Sequence, residues 1–237
     1  MTQRSFFAGT NQTIIIKVGS SVTVKGHADE RLIAETPDTG GLTVERRSET
    51  EIGRARAAIG EQVLFDVRIK LPNLPSPLHP SPSGREDKEV IEVQIGGIGE
   101  VLVPFESNLK VYAGKDIDVR GIQGQVDAYA GLHLHLQDVY RLGNASAGGR
   151  MNLDCQSLIG TNVEFKSGND LRFHVQDLND ARIRVRDLGG YWEARIGRGE
   201  KSIYLKSGGD VTLVTNQQVE ALPPNYILGK IEKPAKS

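Results

Sequence analysis

A short polar turn occurs twice in the second half of the chain, as KSGND at Lys166–Asp170 and as KSGGD at Lys206–Asp210. The two copies are 40 positions apart, and apolar residues alternate with polar ones on both sides of each copy. Such alternation is typical of short β-strands with one buried face. Ile183 and Val185 keep the same pattern midway, 20 positions from the matching residues on either side. The sequence therefore predicts that the interval of 40 contains two 20-residue repeats.

The same unit extends towards the N-terminus with a 17-residue step. Gly114 recurs as Gly131 and Gly148, and the same alternation of apolar and polar residues follows each glycine. From Leu109 to about Val219 we count six units of 17–21 residues, each with two short strands and two turns. This pattern is typical of a β-solenoid, whose coils stack through backbone hydrogen bonds. We predict an all-β protein, a single-stranded parallel β-helix with about 17–21 residues per coil.

The first hundred residues repeat less regularly and are predicted to form a β-rich cap region at the open end of the β-helix. Five prolines within residues 71–85 exclude a central strand, so this segment is predicted to be a loop. The segment SETEIGRARAAIGEQ is the candidate for a short helix or turn. The predicted organisation is an N-terminal arm (1–12), an N-terminal β region (13–100), a β-helix of about six coils (101–219), and a capping strand near Tyr226–Leu228 with a flexible basic tail (220–237).

The composition limits the partners, the cellular location and the disulfides that can be expected for this chain. Lys and Arg number 29 against 30 for Asp and Glu, so the net charge of −1 provides no field that would attract nucleic acid. The first apolar segments are too short for a secretory signal or a membrane span. We therefore expect no membrane insertion and a cytoplasmic location, with cell-envelope association left open. The single cysteine, Cys155, excludes an internal disulfide and is predicted to be a core residue.

The segment VLVPFESNLKVYAGKDIDVRGIQGQVDAYAG resembles the adhesin-like, single-stranded β-helix family of unknown function. The resemblance rests on a motif of the form L-x-V-x-(S/A)-G-x-D-(V/I)-x-(V/L), which matches Leu109–Val119, Val163–Phe173 and Ile203–Leu213. It extends over residues 20–219 apart from the proline loop, and it implies a β-helix at the cell envelope. The chain is also similar in coil length to the bactofilins, a β-helix family that polymerises end to end inside bacteria. That second similarity is one of architecture only.

Three Gly-x-Asp turns place a carboxylate at the same position of three of the predicted units, with Gly190 in place of the aspartate in the unit between the last two. Aspartates repeated in this way could bind Ca²⁺ between coils. We favour turn chemistry instead, with glycine supplying a positive φ and aspartate a local hydrogen bond. The turns are those of Gly114 and Asp116, of Gly168 and Asp170, and of Gly208 and Asp210.

The segment LHLHL places His133 and His135 on one predicted outward face of a strand, with Leu132, Leu134 and Leu136 pointing inward. Two imidazoles on one strand can share a metal ion, but a third ligand is needed. Stacking by 17 or 20 residues places Arg150 and Asn152 beside them, which supply no such ligand, so we interpret them as surface histidines. We expect no metal and no other cofactor.

Catalytic patterns do not stand out in the sequence. We find no Ser/His/Asp arrangement and no glycine-rich phosphate loop between a strand and a helix. The short turns leave no walls for a cleft, so we expect that the chain is not an enzyme. Trp192, the single tryptophan, aligns with inward Leu171 and Val211 and is predicted to be buried.

A column of cations is the candidate interaction surface. The 20-residue step predicts that Lys166, Arg186 and Lys206 stack on one outer face, while Arg184 stands opposite Glu164 in the next column. Like charges on adjacent strands repel, so this column is a candidate for meeting an acidic protein surface or an anionic glycan. The predicted function is a non-enzymatic structural protein that forms homo-oligomers or filaments through its coil ends or a flat face. The alternative is an adhesin-like or glycan-binding surface module.

Overall fold

The computed structural model has only β-strands as regular secondary structure among the residues it describes, and the strands belong to one mixed sheet. The prediction of an all-β protein is therefore confirmed. The described residues are 1–9, 12–37, 41–48, 89–178, 180–222 and 231–233. The proline loop (71–85), most of SETEIGRARAAIGEQ, and the predicted strand at Tyr226–Leu228 lie outside them. The strands are β1 (Thr2–Phe7), β2 (Thr13–Val18), β3 (Val22–His27), β4 (Arg31–Thr36), β5 (Leu42–Ser48), β6 (Glu89–Ile95), β7 (Gly99–Pro104), β8 (Asn108–Ala113), β9 (Ile117–Ala130), β10 (Leu134–Ala147), β11 (Met151–Leu158), β12 (Asn162–Ser167), β13 (Leu171–Val175), β14 (Ala181–Asp187), β15 (Gly190–Ile196), β16 (Lys201–Ser207), β17 (Val211–Val214), β18 (Glu220–Leu222) and β19 (Ile231–Glu232).

The strands follow one another in two hydrogen-bonded ladders. The first ladder has the order β5, β6, β2, β8, β9, β10, β12, β16, β14, β15, β18. The second has the order β1, β4, β7, β3, β9, β10, β11, β13, β17, β19. Strands β9 and β10 have 14 residues each and contribute their first halves to the second ladder and their second halves to the first. We call one strand of each ladder, with the turn that joins them, a layer.

The central strands are parallel, and their paired residues keep one sequence offset over most of each step, with register shifts to an offset of 16 in the β9–β10 and β10–β11 pairs. Leu109 of β8 is opposite Val126 of β9, and Ile117 of β9 is opposite Leu134 of β10, which are both offsets of 17. Strand β11 pairs with β13 at an offset of 20. Between these shifts, an inward residue lies opposite an inward residue of the next layer, because a strand has a period of two.

The prediction that the interval of 40 contains two stacked 20-residue repeats is wrong. Strand β12 pairs directly with β16, so that Val163 is opposite Ile203, and β13 pairs directly with β17. Strand β14 lies on the far side of β16 and turns back into β15 as an antiparallel hairpin. The two KSG turns are therefore on adjacent layers. The reversal at the DLGG turn is helped by Gly190, whose φ of 125° is unfavourable for other residues.

The N-terminal strands enter the ladders out of sequence order. Strands β2 and β3 lie between β6 and β7 on one side and β8 and β9 on the other. Antiparallel strands flank the parallel region at both ends, namely β1, β4 and β5 at one end and β15 and β18 at the other. Residues 1–12, predicted to be an arm, include the antiparallel strand β1.

One hydrophobic cluster contains the inward side chains of both ladders. Phe165 and Phe173 are fully buried, and their ring centroids lie 5.3 Å apart. Trp192 and Cys155 are also buried, in agreement with the sequence. Trp192 is opposite Val185, however, and not aligned with Leu171 and Val211 as predicted. Burial raises the pKa of the Cys155 thiol, which keeps it protonated and unreactive.

A column of glycines marks one corner of the layers. A Cβ atom on any of six of these glycines would lie less than 3.0 Å from the carbonyl oxygen of the glycine in the neighbouring layer. Gly114, Gly168 and Gly208 do not have the positive φ proposed from the sequence, so close backbone approach is the reason for glycine at these turns. The column consists of Gly96, Gly19, Gly114, Gly131, Gly148, Gly168 and Gly208 in spatial order.

Candidate interaction surface

The predicted cations lie on the outward face of the first ladder, in an order that differs from the prediction. The register places Lys166 opposite Lys206, and Lys206 opposite Arg186. Lys206 is thus the central member of this set, which we call the cationic row. Tyr191 follows Arg186 in the same row, across the β14–β15 hairpin. Its side chain is 42% exposed, so the ring is accessible beside the last cation.

In the row beside it, which we call the compensated row, carboxylates balance the positive charge of Arg184. Glu164, Tyr204, Arg184 and Glu193 are successive partners in this second row. Glu193 Oε1 lies 3.5 Å from Arg184 Nε. The sequence-based pairing of Arg184 with Glu164 is wrong, because Tyr204 separates them.

Only one cation of the cationic row has an acidic neighbour within the described residues. Lys166 Nζ lies 2.8 Å from Glu164 Oε2. Lys206 and Arg186 are exposed and form no ion pair with any described residue. The four strands β12, β14, β15 and β16 together have seven Lys or Arg residues against three carboxylates. Positive charge is therefore concentrated on this face, although the whole chain has a net charge of −1.

Glu193 organises the edge of the cationic face. The Tyr191 hydroxyl and the Arg182 guanidinium both donate hydrogen bonds to its carboxylate, with Arg182 Nη2 at 2.6 Å from Oε2. These two donors hold the pKa of Glu193 below its ordinary value. Partial burial, with the Glu193 hydrogen bond second, raises the pKa of Tyr191. The Tyr191 ring is consequently held beside Arg186 by a charged acceptor.

The aspartates of the Gly-x-Asp turns join one layer to the next. Asp116 Oδ1 accepts the backbone N–H of His133 at 3.2 Å, and its Oδ2 accepts the hydroxyl of Ser21 at 3.1 Å. Asp170 Oδ1 accepts the backbone N–H of Asp210 at 3.2 Å. All three bonds link neighbouring layers, two of them through backbone N–H groups, and none lies within the turn, which differs from the local bond proposed from the sequence. The described residues contain no group of three or more His, Cys, Asp or Glu that could hold a metal.

The two histidines lie in an open groove of about 540 Å³ on the second ladder. His133 Nδ1 accepts the backbone N–H of Arg150 at 3.1 Å. His135 Nδ1 lies 3.2 Å from Asn152 Nδ2, as the 17-residue stacking predicts. Leu132 is 46% exposed and does not point inward as predicted. Each imidazole is thus engaged with the neighbouring layer.

The sequence did not reveal two features of the first ladder. Tyr191 lies beside the cationic row only because of the β14–β15 hairpin, and the predicted 20-residue stacking does not include that hairpin. Glu92 is 2% exposed although it occupies an outward position. It forms ion pairs with Lys17 and with Arg47, whose Nη1 lies 3.1 Å from Oε2. The sequence contains one indication that Glu92 is buried. Apolar residues occupy outward positions of β2 and β6 close to it, namely Ile15 and Val90, and both are also buried.

Comparisons with known proteins give one match. No family model matches the chain, and no curated protein matches it. A solved structure of a proposed cell adhesion protein from Clostridium sporogenes matches with 5% identity and a TM-score of 0.41, covering 91% of this chain and 99% of that one. Similarity at this level shows neither family nor function. Among the described residues, no helix is long and apolar enough to cross a membrane.

Proposed function

We propose that the chain is a non-enzymatic, single-stranded β-helical structural protein that associates with copies of itself. The observation that supports this proposal is the free edge of β1. Among the described residues β1 pairs only with β4, and five of its six residues are exposed. An uncovered edge strand presents unpaired backbone N–H and C=O groups to a second chain.

The hydrogen bonds of β1 show which backbone groups face this open side. Ala8 donates its backbone N–H to Glu30 O, one residue beyond the pair Phe7 and Arg31. Hydrogen-bonded and non-hydrogen-bonded pairs alternate in an antiparallel ladder. The backbone groups of Gln3, Ser5 and Phe7 are therefore directed away from β4. The Phe7 carbonyl accordingly accepts a bond from Arg46 Nη2 at 3.1 Å.

The other terminal strands are less suited to pairing with a second copy. Strand β18 has three residues and β19 has two. Strand β5 has seven residues, but three of them are charged, and charged residues on an edge strand oppose pairing. Strand β1 has one charged residue in six, Arg4, and it ends in Phe7, which is 61% exposed.

A symmetric pair of β1 strands satisfies the free backbone groups of both copies, with the Phe7 carbonyl accepting a second hydrogen bond beside that from Arg46 Nη2. Antiparallel pairing about Ser5 places Ser5 opposite its own copy, and Gln3 opposite Phe7 of that copy. Both are hydrogen-bonding positions on the open side of the strand. The interface is then isologous, with the same surface used by both copies. A closed dimer is the assembly that such an interface predicts.

The test is the mass of the protein in solution, measured by sedimentation equilibrium over a wide range of concentration. Ser5→Pro removes an edge N–H without breaking a bond to β4, so it should yield a monomer. Ser5→Thr keeps the N–H and should associate like the unmodified chain. A monomeric unmodified chain at every concentration, or undiminished association of Ser5→Pro, would refute the proposal.

The described polar groups give no support for a catalytic role. In the open groove, Asp116 and His133 already accept backbone N–H groups of the adjacent layer. These hydrogen bonds explain both side chains as links between adjacent layers. The proposal therefore includes neither an enzymatic reaction nor a cofactor.

A further inference from the structure

We infer that the cationic row and Tyr191 form a binding site for an acidic polysaccharide whose sugar rings carry carboxylates. Lys166, Lys206, Arg186 and Tyr191 occupy equivalent outward positions on four neighbouring strands. The site is separate from the β1 edge, so it does not depend on self-association.

Protein contacts do not account for the charges of this row. Like charges directly opposite on adjacent strands oppose sheet formation. Lys206 has a cation on each side, and neither Lys206 nor Arg186 has an acidic partner among the described residues. In the compensated row, Arg184 is close to Glu193. An external anion supplies the counter-charge that the described protein groups do not.

The spacing of the row fits a linear chain of anions. Neighbouring strands are about 4.8 Å apart, so the three cations form a straight series with about that repeat. A polyuronate has one carboxylate on each sugar ring, which is a comparable spacing along its length. The strands lie side by side in a sheet, so an extended chain can cross them at right angles.

Tyr191 adds a feature that suits a sugar. An exposed aromatic ring at the end of the row can pack against the C–H groups of a pyranose ring. Tyr191 donates its hydroxyl to Glu193, and this bond limits the orientation of the ring. A ring fixed in this way loses little conformational freedom when a ligand binds.

A nucleic acid fits the same surface less well. Proteins that bind single strands stack successive bases on several aromatic side chains, whereas Tyr191 is the one exposed aromatic residue in this row. Nucleic-acid binding also relies on a positive field over a large part of the protein. The net charge of −1 provides no such field.

Binding of fluorescent oligogalacturonate at low and high salt tests the inference, with neutral dextran and a single-stranded oligonucleotide as competitors. The double variant Lys206→Glu with Arg186→Glu should lose at least about tenfold in affinity. Lys115→Glu with Arg141→Glu changes the net charge equally, away from the row, and should bind like the unmodified chain. Tyr191→Ala should weaken binding while salt dependence remains.

Three results would overturn the inference. These are absence of binding by the unmodified chain, an equal loss in the control pair, or better competition by dextran or the oligonucleotide than by unlabelled oligogalacturonate. Lys206→Gln with Arg186→Gln, checked for an unchanged melting temperature, excludes misfolding as the cause of a loss. Ser5→Pro should bind undiminished, so a failure of the self-association proposal is distinguishable from a failure of this one.

Discussion

Gly168→Ala is the change that tests the stacking of the layers most directly. The new Cβ would lie less than 3.0 Å from the carbonyl oxygen of Gly148. Carbon and carbonyl oxygen atoms of adjacent strands normally approach to about 3.3–3.6 Å. The obstructing atom belongs to the backbone, so no side-chain rotation can relieve the overlap. The two layers must therefore separate at this corner.

Separation weakens the hydrogen bonds that close the corner. Gly168 donates to Ala147 O and Asn169 donates to Gly149 O, both at 3.0 Å. Overpacking costs about 1–3 kcal/mol, and each weakened bond costs up to about 1 kcal/mol. The lower entropy of alanine in the unfolded chain offsets about 0.4–1 kcal/mol. We therefore expect the free energy of unfolding to fall by about 3 kcal/mol.

Thermal unfolding followed by circular dichroism measures this loss. For a chain of this size, about 3 kcal/mol corresponds to a decrease of about 6–12 °C in the melting temperature. Gly189→Ala is the control, because its Cβ would meet only Asp187 Oδ1 at 3.3 Å and its φ is not positive. If Gly168→Ala melts together with Gly189→Ala and the unmodified chain, the close approach of the glycine column is not a constraint on the fold.

Two further predictions concern the hairpin and the order of the strands. Because the folded-state pKa of Glu193 is lowered, its contribution to stability is present above its unfolded pKa of about 4.3 and is lost as the pH falls through the folded value. Glu193→Gln should therefore lower the urea midpoint at neutral pH more than in acid, and an equal loss at both would contradict this. Lys166→Cys with Lys206→Cys should form a disulfide on mild oxidation, because partners on adjacent strands lie within bonding range, whereas Lys166→Cys with Arg186→Cys should not. The reverse outcome on a non-reducing gel would support the order Lys166, Arg186, Lys206.

Strand alternation was predictable because inward and outward positions differ physically. Leu134 and Leu136 are buried while His135 between them is not, and this contrast follows from the period of two. The 17-residue step was visible because the units that begin at Gly114, Gly131 and Gly148 follow one another directly in the sequence. Extending the same alternation predicts that Leu132 points inward, but this residue precedes β10 and lies in the turn, where the strand period does not apply.

Strand order was less accessible, because a repeat interval does not specify which repeats are neighbours. Ile183 lies 20 positions from both Val163 and Ile203, and an interval of 20 is compatible with a place between them or beyond either. The structure resolves the ambiguity with the β14–β15 hairpin, which places Ile183 beyond Ile203. The offsets of 77 and 95 positions that place β2 between β6 and β8 match no repeat interval at all.

The order of the strands also decides the electrostatics of the cationic row. If the interval of 40 had held two stacked repeats, Arg186 would be the cation with a like charge on each side. In the structure that position belongs to Lys206, whereas Arg186 has Lys206 on one side and Tyr191 on the other. Of the two neighbours of Lys206, Lys166 forms an ion pair with a carboxylate, but Lys206 itself has no such partner in the described part of the chain. An anion bound across the row therefore interacts most strongly at its centre, where the repulsion between protein charges is greatest.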